Sequence, residues 1–377
     1  MKPVLLELQF RHQLVSSQLH KMVFQVKTLE LILCVVLIGS LAVSKASSRA
    51  LLFEANDSMN ILQAFENWMK EHGRTYSSSE EKAKRFAIFK EEFDHIENFN
   101  SQGKHRFTLG LNAFSDLTDK EFDETYGCTT AIPNTNPSSV SSFSYQDFEI
   151  EDLPQNWDWR TQGAVTSVKD QGKCGCSWAF AIAAAVEGLT PFYNKPYGKL
   201  VNLSVQELVA CSKPYGTNGC KGGQAINAIK YVRDHGLVTE EKFPYRFADD
   251  QSCDTAFESS PDIKISGYEA VPEFDEVALA KAVYHQPVVV AHSASINFRR
   301  YKGGIFLDAD GKCARGNISH TSTLVGFGTT PLGEEYWILK NSWSSSWGVH
   351  GYMKINRNSK NKRGVCNLAK LPVFAIL

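Results

Sequence analysis

The sequence lacks an excess of either charge: 40 lysines and arginines stand against 41 aspartates and glutamates in 377 residues. A net charge of −1 gives neither the basic footprint of a nucleic-acid binder nor a polybasic patch for anionic lipid. Metal is not called for, because Cys174-x-Cys176 is too tight for a structural zinc pair and the histidines are scattered. A phosphate-cradling glycine loop, an aromatic–basic patch and internal repeats are also missing, so no cofactor is expected. Apolar runs are short as well. The run Leu31 to Val43 falls below the roughly 20 residues that cross a bilayer. With Lys27 before it and Ser44-Lys45-Ala46 after it, the run reads as the core of a secretory signal peptide within residues 1–46, with Met22 as an alternative start. The chain is therefore expected in the secretory pathway, ending outside the cell or in the lysosome.

What is present is apolar content of 43%, enough for packed cores, and length for about two domains. There are nine cysteines, and an odd number leaves at least one thiol outside any complete disulfide set. Export makes disulfides permissible. Glu81, Arg85, Phe89, Glu92, Ile96 and Asn100 recur at helical spacing and share one face of a helix. Gly110 to Asp116 alternates and predicts a short strand. From about Thr129 to Gln155, Ser, Pro, Asn and Thr dominate, which reads as an exposed linker open to nicking.

The texture then changes. Trp178 to Leu189 predicts a buried helix, Ser204-Val-Gln-Glu207 a capping box opening a second, and Gly222 to about Asp234 a third. Strands are predicted at Pro287 to Ala291, Thr323 to Gly328, Tyr336 to Leu339 and Tyr352 to Ile355. Helices early and strands late give an α+β chain whose unlike halves meet at a cleft, a favoured place for an active site.

One stretch carries chemistry: Gln171-Gly-Lys-Cys174-Gly-Cys176-Ser177-Trp178-Ala-Phe180. Together with Gly219-Cys220-Lys-Gly222-Gly223, His320 and Asn341-Ser-Trp343, it resembles the papain-like cysteine proteases of the cathepsin L type. The helical face Glu81 to Asn100 then resembles the family's inhibitory propeptide signature, with Glu92 where Asn is usual, and Gly110 to Asp116 matches the second propeptide motif. The resemblance implies a helical left domain and a β-barrel-like right domain with the cleft between. It places a propeptide at 47–152, with its inhibitor domain at about 60–123 and a linker at 129–152, and a peptidase domain at 153–377. Its chemistry is peptide-bond hydrolysis by a thiolate that a helix N-terminus and an imidazolium stabilise.

Carried over residue by residue, His320 supplies the imidazole, Asn341 orients it, Gln171 donates in the oxyanion hole and Trp343 shields the His–Asn contact. Gly222, Gly223, Ala225, Ala291 and Leu371 would bind substrate, the last three lining an apolar pocket for the side chain two residues before the scissile bond. Cys34 and Cys128 fall outside the mature region, and the resemblance pairs Cys174 with Cys220, Cys211 with Cys253 and Cys313 with Cys366. The implied partners are protein or peptide substrates, the chain's own propeptide, and protein inhibitors of the cystatin type, with the chain monomeric.

The departure lies at the nucleophile. Alignment through Gln171, Gly175 and Trp178 puts Ser177 in the slot that family members fill with Cys, and the seventh mature thiol, Cys176, sits one residue earlier. Neighbours at a helix start project about 100° apart, so Cys176 should point away from His320. A serine hydroxyl is far less acidic than a thiol and forms no resting ion pair. Thr321 and Ser344 replace the family's small residues after His320 and Trp343, and Lys221 interrupts the glycine motif. The expectation is a protease scaffold with an impaired nucleophile; a non-catalytic peptide or inhibitor binder and a weak serine-nucleophile variant stay open. Sequons stand at Asn56, Asn202 and Asn317, the last directly before His320.

Overall fold

A computed structural model of the protein describes residues 59–127, 143–192, 198–249, 251–254, 260–308, 311–359 and 361–377. The expected signal peptide, Asn56, Cys34 and Cys128 lie outside these residues. The chain divides into two compact units, Met1–Thr75 and Tyr76–Leu377. In the first, residues 59–71 form helix α1. No helix among the described residues is long and apolar enough to cross a membrane.

The second unit opens with α2 (Ser79–Ser101), capped by Ser78, whose side chain accepts from Glu81 N. The residues with helical spacing each find a partner. Arg85 Nε donates to Glu81 at 2.7 Å, while its Nη1 reaches Asp116 O at 2.8 Å and Glu121 at 2.9 Å. Asn100 acts as a strand neighbour: it donates to Leu109 O at 2.9 Å and accepts from Leu109 N at 3.0 Å. That clamp holds β1 (Phe107–Leu109).

The strand expected over 110–116 is instead a turn. Asn112 Oδ1 accepts from Phe114 N at 2.9 Å and Ser115 Oγ accepts from Asn112 N at 3.0 Å, so side chains satisfy the backbone groups a ladder would have used. Helix α3 (Asp119–Tyr126) follows behind a complete capping box of Thr118 and Glu121.

The stretch expected as exposed linker is docked over its second part. Phe143 is buried, Ser144 N donates to Glu269 at 3.0 Å, and Tyr145 stacks on His285 with centroids 4.2 Å apart. Its three aromatics, Phe143, Tyr145 and Phe148, outweigh the Ser- and Pro-rich composition around them.

The peptidase region runs β2 (Trp157–Asp158), α4 (Ser177–Glu187), α5 (Val205–Cys211) and α6 (Ala225–His235). It continues with β3 (Gly267–Ala270), α7 (Glu276–His285), β4 (Val288–His292), α8 (Ile296–Arg299) and β5 (Tyr301–Phe306). Then come α9 (Lys312–Arg315), β6 (His320–Thr329), β7 (Glu335–Lys340), β8 (Tyr352–Asn356) and β9 (Val373–Ile376). Ser204 caps α5 by accepting from Glu207 N, yet the reciprocal half of the expected box is absent: Glu207 is buried and accepts from Tyr231 and Val238 N instead.

The strands form one sheet in the order β1-β5-β8-β7-β6-β4-β9-β3, with β2 on β6. All its pairs are antiparallel except β5–β8. Propeptide strand β1 therefore completes an edge of the peptidase sheet. One core joins α4, α5 and α6; another fills the strand-rich half. The α+β architecture with two unlike halves is as expected.

Candidate active site

Ser177 is the first residue of α4 and His320 the first of β6, so the junction of the halves brings the two chain positions together. Position 177 belongs at this helix start because Trp178, Ala179 and Ile182, all fully buried, pull α4 into the helical core. Ser177 Oγ accepts the backbone N–H of Thr321 at 3.2 Å. His320 Nε2 bonds Asn341 Oδ1 at 2.8 Å, which fixes the tautomer with hydrogen on Nε2 and leaves Nδ1 as the proton acceptor. Nδ1 is buried and has no hydrogen-bond partner, so Ser177 and His320 share no hydrogen bond at rest.

Trp343 lies over the imidazole with ring centroids 4.4 Å apart and is itself buried. Gln171 is held from three sides. Its N–H donates to Ser342 O at 2.9 Å, its Oε1 accepts from Ser342 Oγ at 2.8 Å, and its Nε2 donates to Cys174 O at 2.8 Å.

Burial and a second histidine set the electrostatics. Burial pushes His320 far below its ordinary 6.5, to about 3; the charge of His292 lowers it further, and the Asn341 bond partly opposes both. His292 pairs directly with His320 across β4 and β6, ring centroids 5.4 Å apart. Its Nε2 lies 3.0 Å from Ser322 Oγ and its Nδ1 3.2 Å from Ser293 O, and burial brings it down to about 4. Two buried imidazoles this close hold one proton far more easily than two. His320 is therefore a neutral base here. This suits a hydroxyl that must hand over its proton during attack, and opposes a resting imidazolium.

Cys176 faces elsewhere. Its Sγ lies 3.1 Å from Tyr245 OH, and Tyr245 gives its own hydrogen to Gln171 O at 2.8 Å, so the thiol is the donor. Burial and the neighbouring sulfur push the Tyr245 phenol up. Three disulfides are formed: Cys174–Cys220, Cys211–Cys253 and Cys313–Cys366.

The glycine motif shapes the helical wall. Gly222 has φ 120°, which an L side chain rarely adopts, and a Cβ on Gly223 would sit 2.7 Å from the Trp178 ring. Ala225 follows, half-buried, at the start of α6. On the opposite wall Ala291 pairs with Thr321, and Leu371 leads into β9, which pairs with β4. The propeptide covers the strand-rich wall: Phe114 and Phe122 meet Trp343 edge-on at 5.4 and 5.5 Å. The carbonyl of Gly127 lies 2.8 Å from where a Gly175 Cβ would be, two residues before Ser177.

Sequence reasoning missed His292, Ser322 and Tyr245. Each sits in an ordinary apolar or aromatic pattern, and nothing local marks it as reaching the site. Among the described residues no group of His, Cys, Asp and Glu is placed to hold a metal.

Comparison with known proteins agrees with this geometry. Residues 153–376 match the papain family cysteine protease domain and residues 65–122 the cathepsin propeptide inhibitor domain (I29). A senescence-specific cysteine protease of Oryza sativa subsp. indica is 42% identical over 323 residues, 85% of this chain and 92% of that protein. Fruit bromelain of Ananas comosus is 40% identical over 326 residues, 86% of this chain and 88% of its own. Among solved structures, a recombinant stem bromelain precursor superposes with a TM-score of 0.74 at 36% identity, covering 84% of this chain and 99% of that one. Digestive procathepsin L 3 of Tenebrio molitor gives 0.73 at 33% identity, covering 84% and 99%.

Proposed function

Because the chain belongs to the papain family and carries that family's inhibitory propeptide in cis, we propose that it is a secretory-pathway zymogen whose mature cleft binds peptides and cleaves them slowly through Ser177. The observation that carries this reading is the intact His320–Asn341 pair, with His320 neutral and its Nδ1 open, beside a serine at the start of α4. In the step proposed, the Ser177 hydroxyl adds to the scissile carbonyl as its proton passes to His320 Nδ1. Gln171 Nε2, swung from Cys174 O, donates to the oxyanion. Collapse breaks the C–N bond, and His320 returns the proton to the leaving amine. Water, deprotonated by His320, then frees the acyl group from Ser177.

The reading also takes an apolar residue two positions before the scissile bond, set by Ala225, Ala291 and Leu371, and a lysosomal or extracellular destination. Cystatin-type inhibitors would occupy the same cleft of a monomeric body. The test is to acidify the proprotein and supply fluorogenic peptides with Phe or Leu at that position. Turnover resistant to thiol reagents and lost in Ser177→Ala supports the reading; turnover that survives Ser177→Ala ends it.

A second reading, a non-catalytic peptide or inhibitor binder, is favoured by the missing Ser177–His320 hydrogen bond. Tight binding of a substrate-like peptide with no turnover, and turnover gained on Ser177→Cys, would select it.

A further inference from the structure

Glu92 takes no part in the cleft, although the propeptide signature usually has Asn there. It is a buried carboxylate on α2, 5% exposed, and both of its oxygens point into the peptidase region. Arg300 donates from Nε to Glu92 Oε1 at 2.6 Å and from Nη2 to Oε2. Arg299 Nη2 lies 3.9 Å from Glu92 and 2.9 Å from Asp119, with its Cζ 5.0 Å above the Phe122 ring.

The backbone of the same dipeptide is held too. Asn112 Nδ2 donates to Arg299 O and Gly110 N to Arg300 O, each at 2.8 Å. Two adjacent arginines at the junction of α8 and β5, the last residue of the helix and its cap, are thus gripped by Glu92, Gly110, Asn112 and Asp119, all from the propeptide. Beyond them the chain continues into the β1–β5 pairing, where Leu109 lies opposite Tyr301.

Charge decides what this arrangement does. Arg299 is 3% exposed in its side chain and Arg300 11%, and the carboxylates that answer them belong to the propeptide. Burial already pushes Arg299 below its ordinary range. If the propeptide left, the two guanidiniums would exchange both carboxylates and the Phe122 face for water; with the propeptide in place, replacing Glu92 by an amide leaves Arg300 buried without its counter-charge, which is costly. A bidentate Arg–carboxylate fork also fixes register in a way that an amide cannot.

We propose that the Glu92–Arg300 fork, formed where the propeptide signature usually has Asn, is this chain's own specificity lock between propeptide and peptidase region, and that it keeps the propeptide bound as a separate subunit after the connecting chain is cut. The fork is separate from Ser177 and His320, so it operates whether or not Ser177 turns peptides over.

The test uses the full chain with a site-specific protease sequence inserted in the Ser-, Pro- and Asn-rich stretch 129–142. After cutting at pH 7, size-exclusion chromatography and serial dilution report whether the pieces stay together and how tightly. Native pieces are expected to elute as one species. Glu92→Gln, Glu92→Asn and Arg300→Glu should each weaken the association at least about a hundredfold. The exchanged pair Glu92→Arg with Arg300→Glu should recover much of the loss, which separates a lost charge contact from a misfolded chain. The proposal is overturned if the native pieces separate on cutting, if Glu92→Gln elutes and dilutes like the native chain, or if the exchanged pair binds no better than Arg300→Glu alone.

Discussion

The two walls of the cleft have fared differently. The strand-rich wall is complete: His320 bonds Asn341, Trp343 lies over the ring, and both Asn341 and Trp343 are buried. The helical wall retains its frame, with Gln171 pinned, the Cys174–Cys220 bridge closed and Gly223 against Trp178, but the side-chain atom at position 177 is an oxygen. The contrast teaches that the frame and the nucleophile are separable. Packing and disulfides hold the frame, while a single side-chain atom decides whether a resting ion pair can form. The His320 environment also leans away from that ion pair, because burial and His292 both favour the neutral ring.

The strongest way to break this contrast is to restore the thiol. Ser177→Cys is expected to raise kcat/KM toward peptides with an apolar residue two before the scissile bond by at least about a hundredfold. If the rate stays at the native level with the fold intact, the strand-rich wall is not competent. Next comes the helical frame. In Gly223→Ala the new Cβ would press on the fully buried Trp178 ring, and a stability loss of about 2 kcal/mol in denaturant unfolding is expected. A loss below a few tenths would mean that this wall yields more easily than its packing implies.

The imidazole pair sharpens the comparison through pH. His320 and His292 both titrate lower in the folded chain than the 6.5 of an ordinary histidine. The unfolded chain therefore binds more protons once the pH falls below about 6.5. Stability should drop from there towards about pH 4 and below, where the folded rings also protonate. Replacing both partners together, His292→Leu with Ser322→Val, should flatten the drop between pH 6.5 and 4 in thermal melts recorded against the native chain. An unchanged slope would show that His292 does not contribute.

The smallest effect lies at the rim. Ser344 sits at φ 67°, in the left-handed region, so Ser344→Gly should stabilise by about 1 kcal/mol and raise Tm slightly. A lower Tm would indicate that the Ser344 hydroxyl, 3.4 Å from Ser346 N, matters more than the strain.

Much of this was legible beforehand, for identifiable reasons. The face from Glu81 to Asn100 showed because helical spacing is a property of the chain, and α2 then used those side chains to bind Asp116, Leu109 and the peptidase region. The four predicted strands showed for the same reason and appear as β4, β6, β7 and β8. The turn at 110–116 did not, since alternation there reflects Asn112 and Ser115 capping a loop. Nor did the docking of Phe143, Tyr145 and Phe148, whose partners on α7, β3 and β9 lie more than a hundred residues away.

The sequence by itself determined the lineage, the order of elements and the exchange of thiol for hydroxyl at position 177, because motif spacing and residue identity are written in one dimension. The tertiary structure decided what surrounds them. It set His292 beside His320, turned Cys176 towards Tyr245 and placed Arg299 and Arg300 in the grip of the propeptide. Those relations depend on which faces of distant strands and helices are packed together. Burial then sets the energy of each charge, and no single segment of the chain encodes it.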